Sequence, residues 1–125
     1  MTSRTVEVLV TDEFKTWFFG LNESDWEAVV RNVHYLELLG ASLGYPRSSA
    51  LRGTRYPIRE LRIQSGGRPI RVFYAFDPKR NAVLLLGGHK IGKGFYREHI
   101  SIVERIWEEY LREQENECRQ KEDGP

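Results

Sequence analysis

Arg62 and Arg71 stand on two neighbouring stretches that read as the arms of one β-hairpin, and His89, Lys90 and Lys93 follow within a run of glycines. Guanidinium forks and lysine point charges suit a phosphate whose negative charge grows in a transition state. Histidine is the side chain best able to carry protons near neutrality, and His89 is the one in this neighbourhood. If the hairpin register points Arg62 and Arg71 into the same space, these groups could surround a single phosphodiester. Each also has a plainer reading. Arg71 could bury its stem against Phe73 beside an acidic partner, Arg62 could be an ordinary surface charge, and His89 could cap a strand end. The segment Gly87–Gly94 has the composition of a phosphate-cradling loop, but it lacks the G-x-x-x-x-G-K-[ST] pattern, which disfavours a nucleoside triphosphate site.

The charge map points to a polyanion. The net charge of the 125 residues is only +1. Residues 1–45 carry −4, residues 46–97 carry +10 and residues 98–125 carry −5. Twelve of the nineteen basic residues therefore lie in the middle segment, against Glu60 and Asp77 alone. Such a segment fits nucleic acid, or a basic surface paired with the acidic helices around it. The single Cys118 excludes an internal disulfide framework and a cysteine-based zinc site. His34, His89 and His99 fall on three separate elements without a metal-ligand spacing, His34 near an apolar helix face and His99 in the first turn of the last helix. No apolar run approaches a membrane span and no secretory signal is seen, so a cytoplasmic location is expected.

The elements that must position these groups follow from periodicity. Thr5–Val10 reads as a strand, and Thr11 or Asp12 can cap a short helix with Phe14, Trp17 and Phe18 on one stripe. Ser24 and Glu27 have capping-box spacing for a second helix, whose apolar positions are Trp26, Val29, Val30, Val33, Leu36 and Leu39. Residues 40–57 read as a connector, rich in Gly, Pro and Ser. Ile58–Gln64 and Pro69–Phe76 form a hairpin around Ser65-Gly66-Gly67. Leu61 and Ile63 face one way and Glu60 and Arg62 the other, just as Ile70, Val72 and Tyr74 oppose Arg71, Phe73 and Ala75. Ala82–Leu86 reads as a short central strand, Gly87–Gly94 as a loop, and Ile100–Leu111 as an amphipathic helix. The order β-α-α-β-β-β-α predicts an α+β domain over residues 1–113, its sheet antiparallel with helices packed on it, and a polar, flexible tail over 114–125.

The stretches Leu51-Arg52-Gly53, Glu60-Leu61-Arg62-Ile63, Gly67-Arg68-Pro69-Ile70-Arg71-Val72-Phe73-Tyr74 and Ala82–Lys90, closed by the amphipathic helix, resemble the RelE/ParE toxin superfamily in its HigB-like branch. The resemblance covers roughly residues 4–112 and rests on the order of the motifs rather than on any one. It implies a twisted antiparallel sheet with two N-terminal helices on one face, a basic concave surface opposite and a C-terminal helix. It also implies the toxin of a type II toxin–antitoxin pair, an endoribonuclease cutting mRNA, in many members at the ribosome, by attack of a ribose 2′-hydroxyl on the adjacent phosphate. A helix-turn-helix, HigA-like antitoxin would be the partner, and neither metal nor organic cofactor is required.

Residue by residue, the resemblance assigns Arg71 to the scissile phosphate, Arg62 to the backbone or the 2′-hydroxyl, and Lys90 to the strand-end loop. Lys93 falls near a further basic position, and Tyr96 near a tyrosine that stacks on a base or aids proton transfer. His89 stands where the pattern gives no role; its expected role is general acid to the leaving 5′-oxygen. Glu60 departs from the basic residue of RelE itself. Arg52, Arg55, Arg59, Arg68, Lys79 and Arg80 are the remaining candidates for the RNA backbone. The alternatives are a ParE-like inhibitor that binds a topoisomerase without catalysis, or an inactive relative that only binds RNA or antitoxin.

Overall fold

The computed structural model describes residues 5–122. Five strands, β1 (Val8–Val10), β2 (Ser48–Ala50), β3 (Arg59–Ser65), β4 (Arg68–Phe76) and β5 (Ala82–His89), form one sheet in the order β1-β5-β4-β3-β2. Helices α1 (Asp12–Phe19) and α2 (Glu23–Leu39) cover one face, and α3 (Phe95–Glu122) covers the other.

The antiparallel expectation holds from β2 to β5 and fails at the edge. There β1 pairs parallel with β5, Val8 opposite Ala82 and Val10 opposite Leu84, so the sheet is mixed. Tight turns impose antiparallel pairing only on strands consecutive in the chain. β1 meets β5 after the whole intervening chain, with the α1–α2 hairpin laid across one face, and is free of that constraint. The connector of residues 40–57 also contains an unforeseen strand: β2 pairs with β3, Ser48 opposite Leu61. Three small residues at a sheet edge carry no usable periodicity.

The alternation read from β3 and β4 is borne out. Leu61, Ile63, Ile70, Val72 and Tyr74 join the core under α1 and α2. Phe73 and Ala75 join Phe95, Val103, Ile106 and Trp107 of α3 in the opposite core. All seven sheet residues are inaccessible to solvent, and truncating one such leucine or isoleucine to alanine costs about 2–5 kcal/mol.

Three local readings are corrected. Gly87 and Gly88 lie within β5, not in a loop, because the strand continues pairing with β4 as far as His89. Their lack of a side chain serves close packing: a Cβ on Gly87 would lie 2.2 Å from the Trp17 ring, and one on Gly88 3.0 Å from His99 Nε2. The N-cap of α2 is Asn22, whose side chain accepts from the Asp25 N–H, rather than Ser24. Helix α2 is also rotated from the expected stripe. Asp25, Ala28, Val29, Asn32 and Leu36 are buried, while Trp26, Val30, Leu39 and His34 are exposed. Two polar residues share the buried face: Asn32 donates to the Ala28 carbonyl within the helix, and Asp25 turns toward the sheet to serve the cluster described below.

His99 stacks on Phe95 with ring centroids 4.1 Å apart. The polar segment expected as a tail from residue 114 continues α3 as far as Glu122.

Candidate active site

Arg62 and Arg71 are directly opposite one another on β3 and β4, both on the α3 face. Two residues back along β3, the same parity brings Glu60 onto that face, where it is 4% exposed. Its Oε1 atom accepts from Arg62 Nη1 at 3.2 Å, from the Tyr96 hydroxyl at 3.0 Å and from Ser49 Oγ at 3.4 Å, and lies 3.8 Å from Arg71 Nε. Its Oε2 atom is buried and has no hydrogen-bond partner among the described residues.

Arg71 is 4% exposed and lies beneath this carboxylate. Its Nε donates to the Tyr96 oxygen at 3.3 Å and its Nη1 to the Ile70 carbonyl at 3.2 Å. Burial, reinforced by the nearby Glu60 charge, holds the Tyr96 hydroxyl above its ordinary pKa despite the bond from Arg71, so Tyr96 stays protonated and can donate. Lys90 enters from the end of β5, its Nζ 5.5 Å from the centroid of the Tyr96 ring.

These groups lie in and beneath an open cleft of about 670 Å³ lined by Tyr45, Ser49, Ala50, Leu51, Arg52, Glu60, Arg62, Lys90 and Tyr96. The strand order explains its shape. Glu60 and Arg62 on β3 form the floor, the β5 end and the start of α3 one wall, and β2 with its flanks the other. One carboxylate surrounded by Arg52, Arg62, Arg71 and Lys90 leaves the cleft strongly positive, so an anionic ligand suits it.

Four of the six residues assigned to chemistry thus come together: Arg62, Arg71, Lys90 and Tyr96. Arg71 does so one layer below the surface. Lys93 is exposed in the segment after β5 and is not part of the cleft lining. His89 is on the other side of the sheet. Its Nε2 lies 2.8 Å from Asp25 Oδ2 in the first turn of α2. The cause is a bulge in β5: Phe73 pairs with Leu86 but Tyr74 with Leu84, leaving Leu85 unpaired. One extra residue reverses the alternation beyond it, so His89 pairs with Ile70 and shares its face, where an unbulged strand would have put it on the Arg71 face.

Of the backbone-contact candidates, Arg52 alone lines the cleft. Arg55 pairs with Glu104 and Glu108 of α3, Arg59 donates to Ser48 Oγ at 3.1 Å, and Arg68 pairs with Asp25. Lys79 and Arg80 belong to the β4–β5 turn, beyond the end of β4 at Phe76, which is itself about 16 Å along the strand from Arg71. Sequence reasoning did not place Glu60 among the site candidates, although its parity with Arg62 was legible. Ser49 and Tyr45 carried no local signal.

A model of the family described as Phage derived protein Gp49-like (DUF891) matches residues 16–108. The chain belongs to the Gp49-like family of RelE/HigB-type toxins. A Mycobacterium tuberculosis protein named "Putative toxin HigB3" is 36% identical over 107 residues, 83% of this chain and 92% of that protein. A second protein of that organism, "Putative toxin HigB2", is 35% identical over 104 residues, 80% of this chain and 52% of its own length. This Gp49-like chain thus spans about half of the second relative. The solution structure of the conserved hypothetical protein HP0894 from Helicobacter pylori aligns with 69% of this chain and 96% of its own, at a TM-score of 0.47 and 18% identity.

Proposed function

We propose that this Gp49-like protein is the toxin of a type II toxin–antitoxin pair and acts in the cytoplasm as an endoribonuclease on mRNA, in association with the ribosome. What carries the reading is Glu60. A buried carboxylate oxygen without a partner costs about 1–3 kcal/mol or more, and here it lies at the floor of a cleft whose other charged groups are all cationic. A structural carboxylate would be saturated; one kept for proton transfer need not be.

In the proposed reaction Arg62, Lys90 and Arg52 hold a phosphodiester above Glu60. Glu60 takes the proton of the 2′-hydroxyl as the 2′-oxygen attacks phosphorus. The new P–O2′ bond forms while the P–O5′ bond breaks. The 5′-oxygen leaves with the Tyr96 proton, giving a 2′,3′-cyclic phosphate and a 5′-hydroxyl. Arg71, below the surface, fixes Glu60 and Tyr96 and supports the developing charge through Tyr96. A helix-turn-helix antitoxin with an acidic segment over this cleft would neutralise the protein.

The test is primer extension on translated mRNA, with mapping of the cyclic phosphate end, for wild type and Arg71→Ala. Loss of a buried donor to the reacting groups is expected to lower the cleavage rate by about 10²–10³. Undiminished cleavage by a folded Arg71→Ala protein would overturn the proposal, as would wild-type protein that cuts no RNA.

A further inference from the structure

Tyr45 lines the cleft wall formed by β2 and its flanks, yet it is 79% exposed. A large ring so accessible adds little to the fold. Its backbone, by contrast, is held. The turn it belongs to is closed by the Arg47 and Ser48 N–H groups donating to the Gly44 carbonyl at 3.1 Å each, and the Arg62 N–H donates to the Arg47 carbonyl at 2.8 Å. The Arg47 guanidinium is in turn stacked 3.8 Å over the Tyr35 ring of α2. The Arg62 guanidinium lies 5.8 Å from the Tyr45 ring centroid and also binds Glu60. A tethered aromatic face therefore stands beside a phosphate-seeking cation, at the wall opposite Tyr96.

We infer that Tyr45 is a nucleobase-stacking subsite for single-stranded RNA, receiving the base of the nucleotide whose 2′-hydroxyl attacks. This rests on the nuclease reading above, which also sets the polarity. With the proton donor Tyr96 on the β5 side, the leaving 5′-oxygen and its nucleotide lie there. The nucleotide that supplies the 2′-hydroxyl then extends past Glu60 and Arg62 toward β2, where Tyr45 waits. Base–aromatic stacking needs only a π-face, and a tyrosine on a held backbone supplies it with two side-chain torsions left to fix.

Two measurements test this separately from the nuclease reading. In the first, binding of an RNA oligonucleotide with a 2′-deoxy residue at the attacking position is followed by fluorescence anisotropy, so that no cleavage is required. Tyr45→Ala and Tyr45→Leu are expected to weaken binding about tenfold, and Tyr45→Phe to stay within about twofold of wild type. The salt dependence should keep its slope, because stacking releases no counterions, whereas Arg62→Ala should flatten it.

In the second, an abasic residue is placed on either side of the scissile bond. On the 5′ side it should raise KM about tenfold for wild type and have no further effect on Tyr45→Ala. Phe19→Ala, an exposed ring outside the cleft lining, is the control. Unchanged affinity and KM in a folded Tyr45→Ala protein, or sensitivity only to the 3′ abasic residue, would overturn the subsite. Failure of wild type to cut RNA would instead overturn the nuclease reading, and the subsite would then stand or fall on the binding measurement alone.

Discussion

Asp25 and Glu60 are both carboxylates buried against arginines, on opposite sides of the same sheet, 2% and 4% exposed. Their surroundings differ in completeness. At Asp25 both oxygens are engaged: Arg68 Nη2 reaches Oδ1 at 3.1 Å and Oδ2 at 3.0 Å, and His89 Nε2 meets Oδ2 at 2.8 Å. The position in the first turn of α2 adds the positive end of the helix dipole. At Glu60 four donors crowd toward one oxygen and leave the other without a hydrogen-bond partner among the described residues. The first arrangement joins α2 to the ends of β3, β4 and β5 and has no capacity left for a substrate. The second holds an acceptor unused in an open, positive cleft. Saturation, more than burial or charge, separates a structural carboxylate from a functional candidate here.

The sharpest way to break that contrast is Glu60→Gln, which keeps size and most hydrogen bonding but cannot take a proton. Cleavage is expected to fall about 10²–10⁴-fold in single-turnover assays. Stability in urea should also fall, because the neutral amide leaves the buried Arg71 guanidinium without its counter-charge. A destabilised protein that cleaves normally would exchange the roles assigned to the two carboxylates.

Asp25→Ala should act on stability rather than on cleavage. Removing the shared acceptor of Arg68 and His89 is expected to cost about 1.5–3 kcal/mol of stability, while the folded fraction keeps cleavage within a few-fold. The pH dependence follows from the same group. The Ser65 hydroxyl bond first, then those of His89 and the Arg68 charge, hold the Asp25 carboxyl below its ordinary value of 3.8 despite burial. The folded state therefore releases this proton more readily than the unfolded chain. The contribution is complete above that ordinary value and is lost as pH falls through the lowered one. Urea denaturation between about pH 5 and pH 2 should show a shallower loss for Asp25→Ala than for wild type.

The smallest effect is expected from His89→Gln, whose amide can still donate to Asp25. Stability should change by less than about 1 kcal/mol and the cleavage rate by less than threefold, both measured on the same preparation. A loss of two orders of magnitude in rate with stability intact would return His89 to the chemistry and sink the division between the two sides.

Much of the site was legible in the chain. The two-residue period put Arg62 with Glu60 on one face of β3 and Arg71 with Phe73 and Ala75 on one face of β4, because alternation is a local property of an extended backbone, while the pairing register made those two faces one. The charge map likewise located the basic segment, and the glycine turn at Gly66 and Gly67, both at positive φ, set the hairpin register. The role of Glu60 was half legible: its face could be read, but its unsatisfied oxygen depends on Ser49, Tyr96 and Arg71, which meet it from three other elements.

Other features arose only on folding. Sequence pattern cannot register the bulge at Leu85, since a bulge is a relation between two strands, and that one residue carries His89 from the Arg71 face to Asp25. The parallel closure by β1 and the edge strand β2, which sets Tyr45 beside the cleft, rest equally on pairings between distant segments. The sequence by itself determined which side chains share a strand face and where positive charge accumulates, because both are set by near neighbours in the chain. Tertiary structure decided which of them meet, because a carboxylate's partners are whatever the completed sheet and its helices bring within about 3 Å.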